Sequence, residues 1–269
     1  MTDNKFANIY LTGGSYGMIY QLGALSKLRE EIKNNNSILY GCSAGALSCV
    51  MFVLYSDVFT LDLYKSITTN AFNALLFNPS EANLTKQHMK TLETINRDHP
   101  TAYEKLNKKI NIGVTTKNGF KWYNTFTSNE DLFNKLLCSF HVPFLCSYNA
   151  QLDGIKCIDG GFGIDVNKDL PENCLVICPK YHNPKQTKHN YINGNIPVLF
   201  CATPMPPMLI DYYYNKGIRS IVTYKTTYKS DITPQYIRDE NDIPTYAWWL
   251  LRELQQDDTE NVLSKILGV

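Results

Sequence analysis

Apolar residues near the start of the chain fall into two copies of one grammar. Phe6 to Thr12 is a short apolar stretch that meets Gly13-Gly14-Ser15-Tyr16-Gly17, after which Leu22, Leu25, Leu28 and Ile32 recur at helical spacing. Ser37 to Tyr40 is a second short stretch and Gly41-Cys42-Ser43-Ala44-Gly45 a second tight turn. Ala44 to Tyr55 is then so apolar that it reads as a buried helix. Strand, glycine-rich turn and helix, twice in succession, predict parallel strands joined by crossover helices.

Further along, the spacing predicts an amphipathic helix over Asn83 to Arg97, with Leu84, Gln87, His88, Thr91, Leu92 and Ile95 on one face. Thr101 and Glu104 fit a capping box that opens a short helix. Lys109 to Thr116 and Phe120 to Phe126 flank Asn118-Gly119, a strong hairpin signal. Ser128 with Asp131 starts a helix through Leu137, and strands are predicted at Gly154 to Ile158 and at Cys174 to Cys178. Lys180 to Asn190 is polar and reads as a solvated loop. The prolines from Pro204 to Pro207 open a helix that is predicted to stop near Gly217, and Thr245 to Leu254 and Glu260 to Leu267 read as terminal helices. With no repeat, low-complexity tract or linker, a single domain over residues 1–269 is the simplest organisation.

Composition narrows the classes. Hydrophobic residues make up 44% and charged residues 19%, enough for a sizeable core, and a net charge of +1 with scattered Lys and Arg gives no footprint for nucleic acid. Met1 to Asn8 is polar and reads as no secretory signal, and no window approaches the length of a membrane span. The eight cysteines form no C-x-x-C pair and several lie inside apolar runs, so reduced core thiols in a cytoplasmic protein are expected. Cys174, Cys178 and His182 lack a matching second pair of ligands, and no metal is assigned.

Gly41-x-Ser43-x-Gly45 has the shape of a nucleophile elbow. A serine there is lifted onto a sharp strand-to-helix turn, and flanking glycines, with Cys42 and Ala44 between, remove the clash of side chains. The helix that follows aims its first amides at developing negative charge. Gly13, Gly14, Ser15 and Gly17 form a second such turn, whose backbone N–H groups suit an oxyanion. The loop lacks the Gly-Lys-Ser/Thr ending of a phosphate loop and the G-x-G-x-x-G pattern of a dinucleotide site. Asp159-Gly160-Gly161 ends the strand at Gly154 to Ile158. Taken alone it reads first as a β-turn, and with the two other turns as a carboxylate able to approach them closely.

Together these pieces resemble the patatin-like phospholipase family. Thr12 to Leu28, TGGSYGMIYQLGALSKL, resembles its glycine-rich block. Tyr40 to Leu47, YGCSAGAL, resembles its serine elbow. Leu137 to Phe144, LCSFHVPF, and Ile158 to Phe162, IDGGF, resemble its serine-to-proline and aspartate blocks. The resemblance runs from about residue 8 to 165 and is nearest to the adiponutrin-like and adipose-lipase-like branch. It implies a three-layer α/β fold with a mostly parallel central sheet and helices on both faces. It also implies a catalytic dyad of Ser43 and Asp159, an oxyanion hole around Gly13, Gly14, Ser15 and Gly17, and hydrolysis of lipid esters with no cofactor. Thr12 stands where a third glycine is usual and Tyr16 where many members place Arg or Lys.

Three other readings stay open. A Ser-Asp-His triad would take its base from His182 or His189, both placed in the polar loop and expected at the surface, while His141 is expected to pack near the site. A lipid-binding protein on the same fold need not turn over, and a nucleotide-binding α/β protein would use the glycine loop differently. Trp248-Trp249-Leu250-Leu251 suits either core or contact with a membrane or lipid-droplet surface, and Tyr212-Tyr213-Tyr214 suits either an acyl pocket or packing.

Overall fold

Four- and five-residue runs of aliphatic side chains, cut by glycine turns, assemble here into one sheet. The computed structural model describes residues 6–77, 83–143, 145–180, 189–197, 199, 201 and 203–228. The chain divides into two units, Met1–Thr226 and Thr227–Val269, and the elements below lie in the first, save for the last two residues of the final helix. The predicted terminal helices, Trp248, Trp249 and His182 fall outside the described residues.

In chain order the elements are β1 (Asn8–Leu11), α1 (Met18–Asn35), β2 (Ile38–Cys42), α2 (Ala44–Leu54), α3 (Asp57–Phe77), α4 (Leu84–Asp98), α5 (Ala102–Leu106), β3 (Ile110–Thr116), β4 (Gly119–Tyr123), α6 (Asn129–Phe140), β5 (Gln151–Leu152), β6 (Ile155–Asp159), α7 (Val166–Asp169), β7 (Leu175–Cys178), β8 (Asn190–Asn193) and α8 (Pro207–Tyr228). Among the described residues the eight strands order as β5-β6-β3-β2-β1-β7-β8, with β4 also on β3. Strands β3, β2, β1, β7 and β8 run parallel, and β4, β5 and β6 join antiparallel at one side.

The sheet buries both faces. Ile9, Leu11, Leu39, Leu175 and Ile177 point to one side and are almost fully buried, as are Leu22, Leu25 and Leu28 of α1 and Val50 and Met51 of α2. On the other side Tyr10, Cys42, Cys174 and Val176 pack with Leu170, Ile164 and Val166 around the short α7, so the second helical layer is thin among the described residues. Trp122 of β4 closes that face. It meets Tyr10, Tyr40 and Phe120 edge-on at 6.0, 5.2 and 4.8 Å, and its indole N–H donates to the Asp169 carbonyl at 2.8 Å.

Several expectations are refined by the structure. The Ser128 cap forms: its hydroxyl accepts from Asp131 N at 3.1 Å while the Asp131 carboxylate accepts from Thr127 N at 2.9 Å, and the helix runs on to Phe140. Thr101 begins α5 without a side-chain cap. The Tyr103 amide in its first turn is met instead by Asn129 Oδ1 at 3.1 Å, across from α6. α3 escaped the pattern because its buried stripe is Thr60, Tyr64, Thr68 and Ala71, helically spaced but mostly polar. The polar loop ends in a strand, β8, which pairs with β7 from Leu175↔Asn190 to Cys178↔Asn193.

Gly217 does not end the last helix. A Cβ there would fall 2.1 Å from the Tyr20 carbonyl oxygen, and a Cβ at Gly23 would fall 2.0 Å from that of Tyr214. The two glycines let α1 and α8 touch backbone to backbone, where close approach outweighs helix propensity. Gly217→Ala is expected to destabilise by about 1–3 kcal/mol through overpacking, although alanine in an open helix would gain about 1 kcal/mol. Urea unfolding reads the sign, and a stabilised variant would show the contact to be loose.

Candidate active site

Strand β3 brings the two key side chains together. β4 covers one of its edges from Ile112 to Thr116. Along the other edge β2 pairs in parallel as far as Cys42↔Gly113, and β6 pairs antiparallel from Thr116 back to Asp159↔Val114. The C-terminal ends of β2 and β6 therefore meet head to head, and the residue after Cys42 is Ser43.

Ser43 holds φ 55° and ψ −132°, a conformation that costs a residue bearing a Cβ about 1–3 kcal/mol. Neighbours over-determine it. Its N–H donates to Ser139 Oγ at 2.9 Å, and Ser139 is fully buried near the end of α6. Its carbonyl accepts from Ala46 N at 2.9 Å and Leu47 N at 3.3 Å, starting α2. The elbow lies on the end of β1 so closely that a Cβ at Gly45 would sit 2.0 Å from the Leu11 carbonyl oxygen, and one at Gly41 would sit 2.5 Å from Ala46 N. Cys42 turns its thiol the other way, against Gly113, and Ala44 is buried.

Asp159 is 6% exposed. Its N–H donates to the His141 carbonyl at 2.7 Å and its carboxylate accepts from Gly161 N at 2.7 Å. Gly160 passes so near β3 that a Cβ would fall 2.2 Å from the Gly113 carbonyl oxygen. Burial pushes the Asp159 carboxyl above the ordinary carboxylate range. Hydrogen bonding with the Ser43 side chain, the Gly161 amide and the charge of Lys180 oppose that rise.

The glycine loop closes the third side. A Cβ at Gly13 would lie 3.2 Å from Ser43 Cβ and 3.8 Å from its Oγ, so this backbone faces the serine directly. Gly14 and Gly17 fit beneath Pro179, and Ser15 takes φ 43°. Among the described residues no backbone acceptor takes the amides of Gly13, Gly14 or Ser15, whereas Gly17 donates to the Gly14 carbonyl at 2.8 Å. Gly17 thus shapes the loop, and the expected fourth amide donor is already engaged.

Tyr16 is buried, and its ring locks the loop to the helices beyond. Its hydroxyl donates to Gln87 Oε1, and the Tyr64 hydroxyl donates to its carbonyl. The histidines divide. His141 packs beside Asp159 as expected, through its carbonyl. His189 is not at the surface: it is 7% exposed, with Nε2 2.8 Å from the Val166 carbonyl on the thin side of the sheet. Tyr213 and Tyr214 are buried in packing. All eight cysteines are unpaired and buried.

The sequence profile of patatin-like phospholipases matches residues 10–167, more than half of the chain. The chain belongs to the patatin-like phospholipase family. Its fold is the patatin fold, and the matched span carries both elbow and aspartate turn. No curated protein matches it in sequence. Among solved structures it is similar to VipD from Legionella pneumophila, at 12% identity over 97% of this chain and 79% of that one, with a TM-score of 0.44. It is also similar to the heterodimeric ExoU–SpcU complex of the type III secretion system of Pseudomonas aeruginosa, at 16% identity, covering 84% of this chain and 52% of that one, with a TM-score of 0.39.

Against the patatin-like pattern, the sequence reading assigned no role to Ser139, Lys180, Tyr64 or Gln87. Ser139 stood inside a recognised block. Gln87 stood on the predicted face of an amphipathic helix with no role beyond packing, and Tyr64 and Lys180 are ordinary polar residues that nothing local marks.

The raised carboxyl of Asp159 has a consequence for stability. Its folded pKa lies above its unfolded one, so its contribution is fully present below the unfolded pKa and is lost as pH rises through the folded pKa. Asp159→Asn cannot ionise. It is therefore expected to be more stable than the wild type at neutral pH, with the difference closing in acid below the ordinary carboxylate range. Thermal melts of both proteins from pH 4 to 8 test this, and a constant difference would remove the burial argument.

Proposed function

We propose that the protein is a serine acyl hydrolase that cleaves carboxylic ester bonds of lipids through Ser43 and Asp159. The single observation that carries this is the convergence at the end of β2. A strained serine, a buried carboxylate at the adjoining strand end and a glycine loop whose first amides meet no backbone acceptor among the described residues lie together there.

Asp159 accepts the Ser43 proton as Oγ attacks the ester carbonyl carbon. The carbonyl oxygen becomes an oxyanion facing the amides of Gly13, Gly14 and Ser15, where loss of one donor typically costs about 10²–10³ in rate. Collapse expels the alcohol, which takes the proton from Asp159, and leaves an acyl-serine. Water, deprotonated by the same carboxylate, attacks the acyl carbon, the bond to Ser43 Oγ breaks as Oγ takes the proton back from Asp159, and the fatty acid leaves. Burial serves the base, since it brings a weak carboxylate nearer to working pH. His189 is a poor alternative base because it is buried on the thin side of the sheet, beside Val166.

A lipid substrate suits the rim. Phe162, just beyond Gly160-Gly161, is 66% exposed and Leu145, in the loop after α6, is 46% exposed. They offer an apolar border to acyl chains and support peripheral contact with a membrane or droplet surface. No described helix is long and apolar enough to cross a membrane.

Ser43→Ala and Asp159→Asn are each expected to lose about 10⁴-fold or more in ester turnover, and a fluorophosphonate is expected to label the wild type at Ser43 alone. Turnover by either variant would exclude the dyad, and an unlabelled wild type would favour a binding protein. The acid limb of kcat/KM is expected above the usual aspartate value of about 3.9, and Tris-free pH profiles locate it.

A further inference from the structure

Gln21 is the polar residue in the apolar run Ile19-Tyr20-Gln21-Leu22, and it is 0% exposed. Its Nε2 lies 2.7 Å from the Thr12 carbonyl oxygen and 3.2 Å from that of Ile177. Carbonyls only accept, so the NH₂ must face them and Oε1 must face away. There Ser48 of α2, also 0% exposed, donates to Oε1 at 3.0 Å and lies 3.1 Å from the Ala44 carbonyl. One carboxamide thus ties together the end of β1, the end of β7 and the first turns of the elbow helix.

The tie sits where β1 leaves the sheet. The last β1–β7 pair is Leu11↔Ile177, and Thr12 N still donates to Ile177 O at 3.3 Å. Beyond it, the Thr12 carbonyl turns inward onto Gln21. A trans peptide is planar, with its C=O and N–H on opposite sides, and the described chain has no cis bond. Drawing the Thr12 oxygen toward α1 therefore sends the Gly13 N–H the other way, on the residue whose backbone faces Ser43.

We infer that Gln21 is a positioning residue for the ester hydrolysis proposed above: it sets the direction of the Gly13 amide and, through Ser48, holds that amide in register with the nucleophile elbow. This rests on the reading of Ser43 as nucleophile and of the glycine loop as oxyanion donor. Gln21 touches no substrate and acts on the amide through the Thr12 carbonyl. Thr12 adds a second hold on the loop, its hydroxyl donating to the Gly13 carbonyl at 3.2 Å.

The test compares the full-length wild type with Gln21→Met, which keeps shape and loses every hydrogen bond, and with Ser48→Ala, which frees Oε1. A soluble p-nitrophenyl ester gives kcat and KM. An alkyl trifluoromethyl ketone, which forms a tetrahedral oxyanion on the serine, and the matching alkyl ether, which cannot, give two binding constants. In Gln21→Met, kcat is expected to fall about 100-fold, the loss of one oxyanion donor. Ketone affinity should fall in parallel, with KM and ether binding within about twofold of wild type. Ser48→Ala is expected to show the same pattern at roughly five- to tenfold.

A merely structural glutamine would lower the melting temperature and weaken ketone and ether together, and that result overturns the inference. So does a folded Gln21→Met with wild-type kcat. If Gln21→Met does not fold, Ser48→Ala decides, and an unchanged kcat there overturns it. A wild type with neither turnover nor labelling of Ser43 removes the functional reading and this inference with it. An active wild type matched by its variants removes the inference alone.

Discussion

One edge of β3 is shared by two strands that run in opposite directions, and the site exists because of that sharing. β2 leaves at Cys42 to make the elbow, and the backbone of β3 from Val114 onward would be left without partners on that side. Buried amides and carbonyls without partners are costly, and β6 fills the gap with Asp159 at the junction. β4 on the opposite edge pins the register. A slip of one residue would turn Asp159 to the other face of the sheet.

Around this junction the polar groups are matched rather than abundant. Asp159 is withdrawn from water, which raises its carboxyl, yet the Ser43 side chain, the Gly161 amide and the more distant Lys180 charge work against that rise. The strained elbow is answered by a single buried hydroxyl, Ser139, which accepts the otherwise orphaned Ser43 amide. The glycine loop carries no charge at position 16. Tyr16 there holds the loop to α3 and α4 through Tyr64 and Gln87.

Much of this was legible because local chemistry is strict at turns. Gly45 and Gly160 have backbone atoms of β1 and β3 where a Cβ would be, and such positions show in sequence as glycines beside a serine or an aspartate. The hairpin at Asn118-Gly119 and the cap at Ser128 were legible for the same reason. α3 and β8 were not. The inward stripe of α3 is mostly threonine and tyrosine, and β8 is a polar edge strand, so neither carries the apolar period that marks an element. Gly217 misled because a glycine in a helix signals either a stop or a close crossing, and only Tyr20 of α1, packed against it, decides which.

By itself the sequence determined the α/β class with a mostly parallel sheet, the two strand-turn-helix units, and the three turns that carry Ser43, Asp159 and the glycine loop. Each depends on a backbone shape that few residues permit. The tertiary structure decided what no short window contains: that β2 and β6 end against each other, that Gly17 spends its amide inside the loop, that His189 is buried on the far face, and that Gln21 and Ser139 reach across to hold the turns. Those outcomes depend on hydrogen bonds between residues far apart in the chain, and a polar side chain gives no sign of its partner until the fold brings the two together.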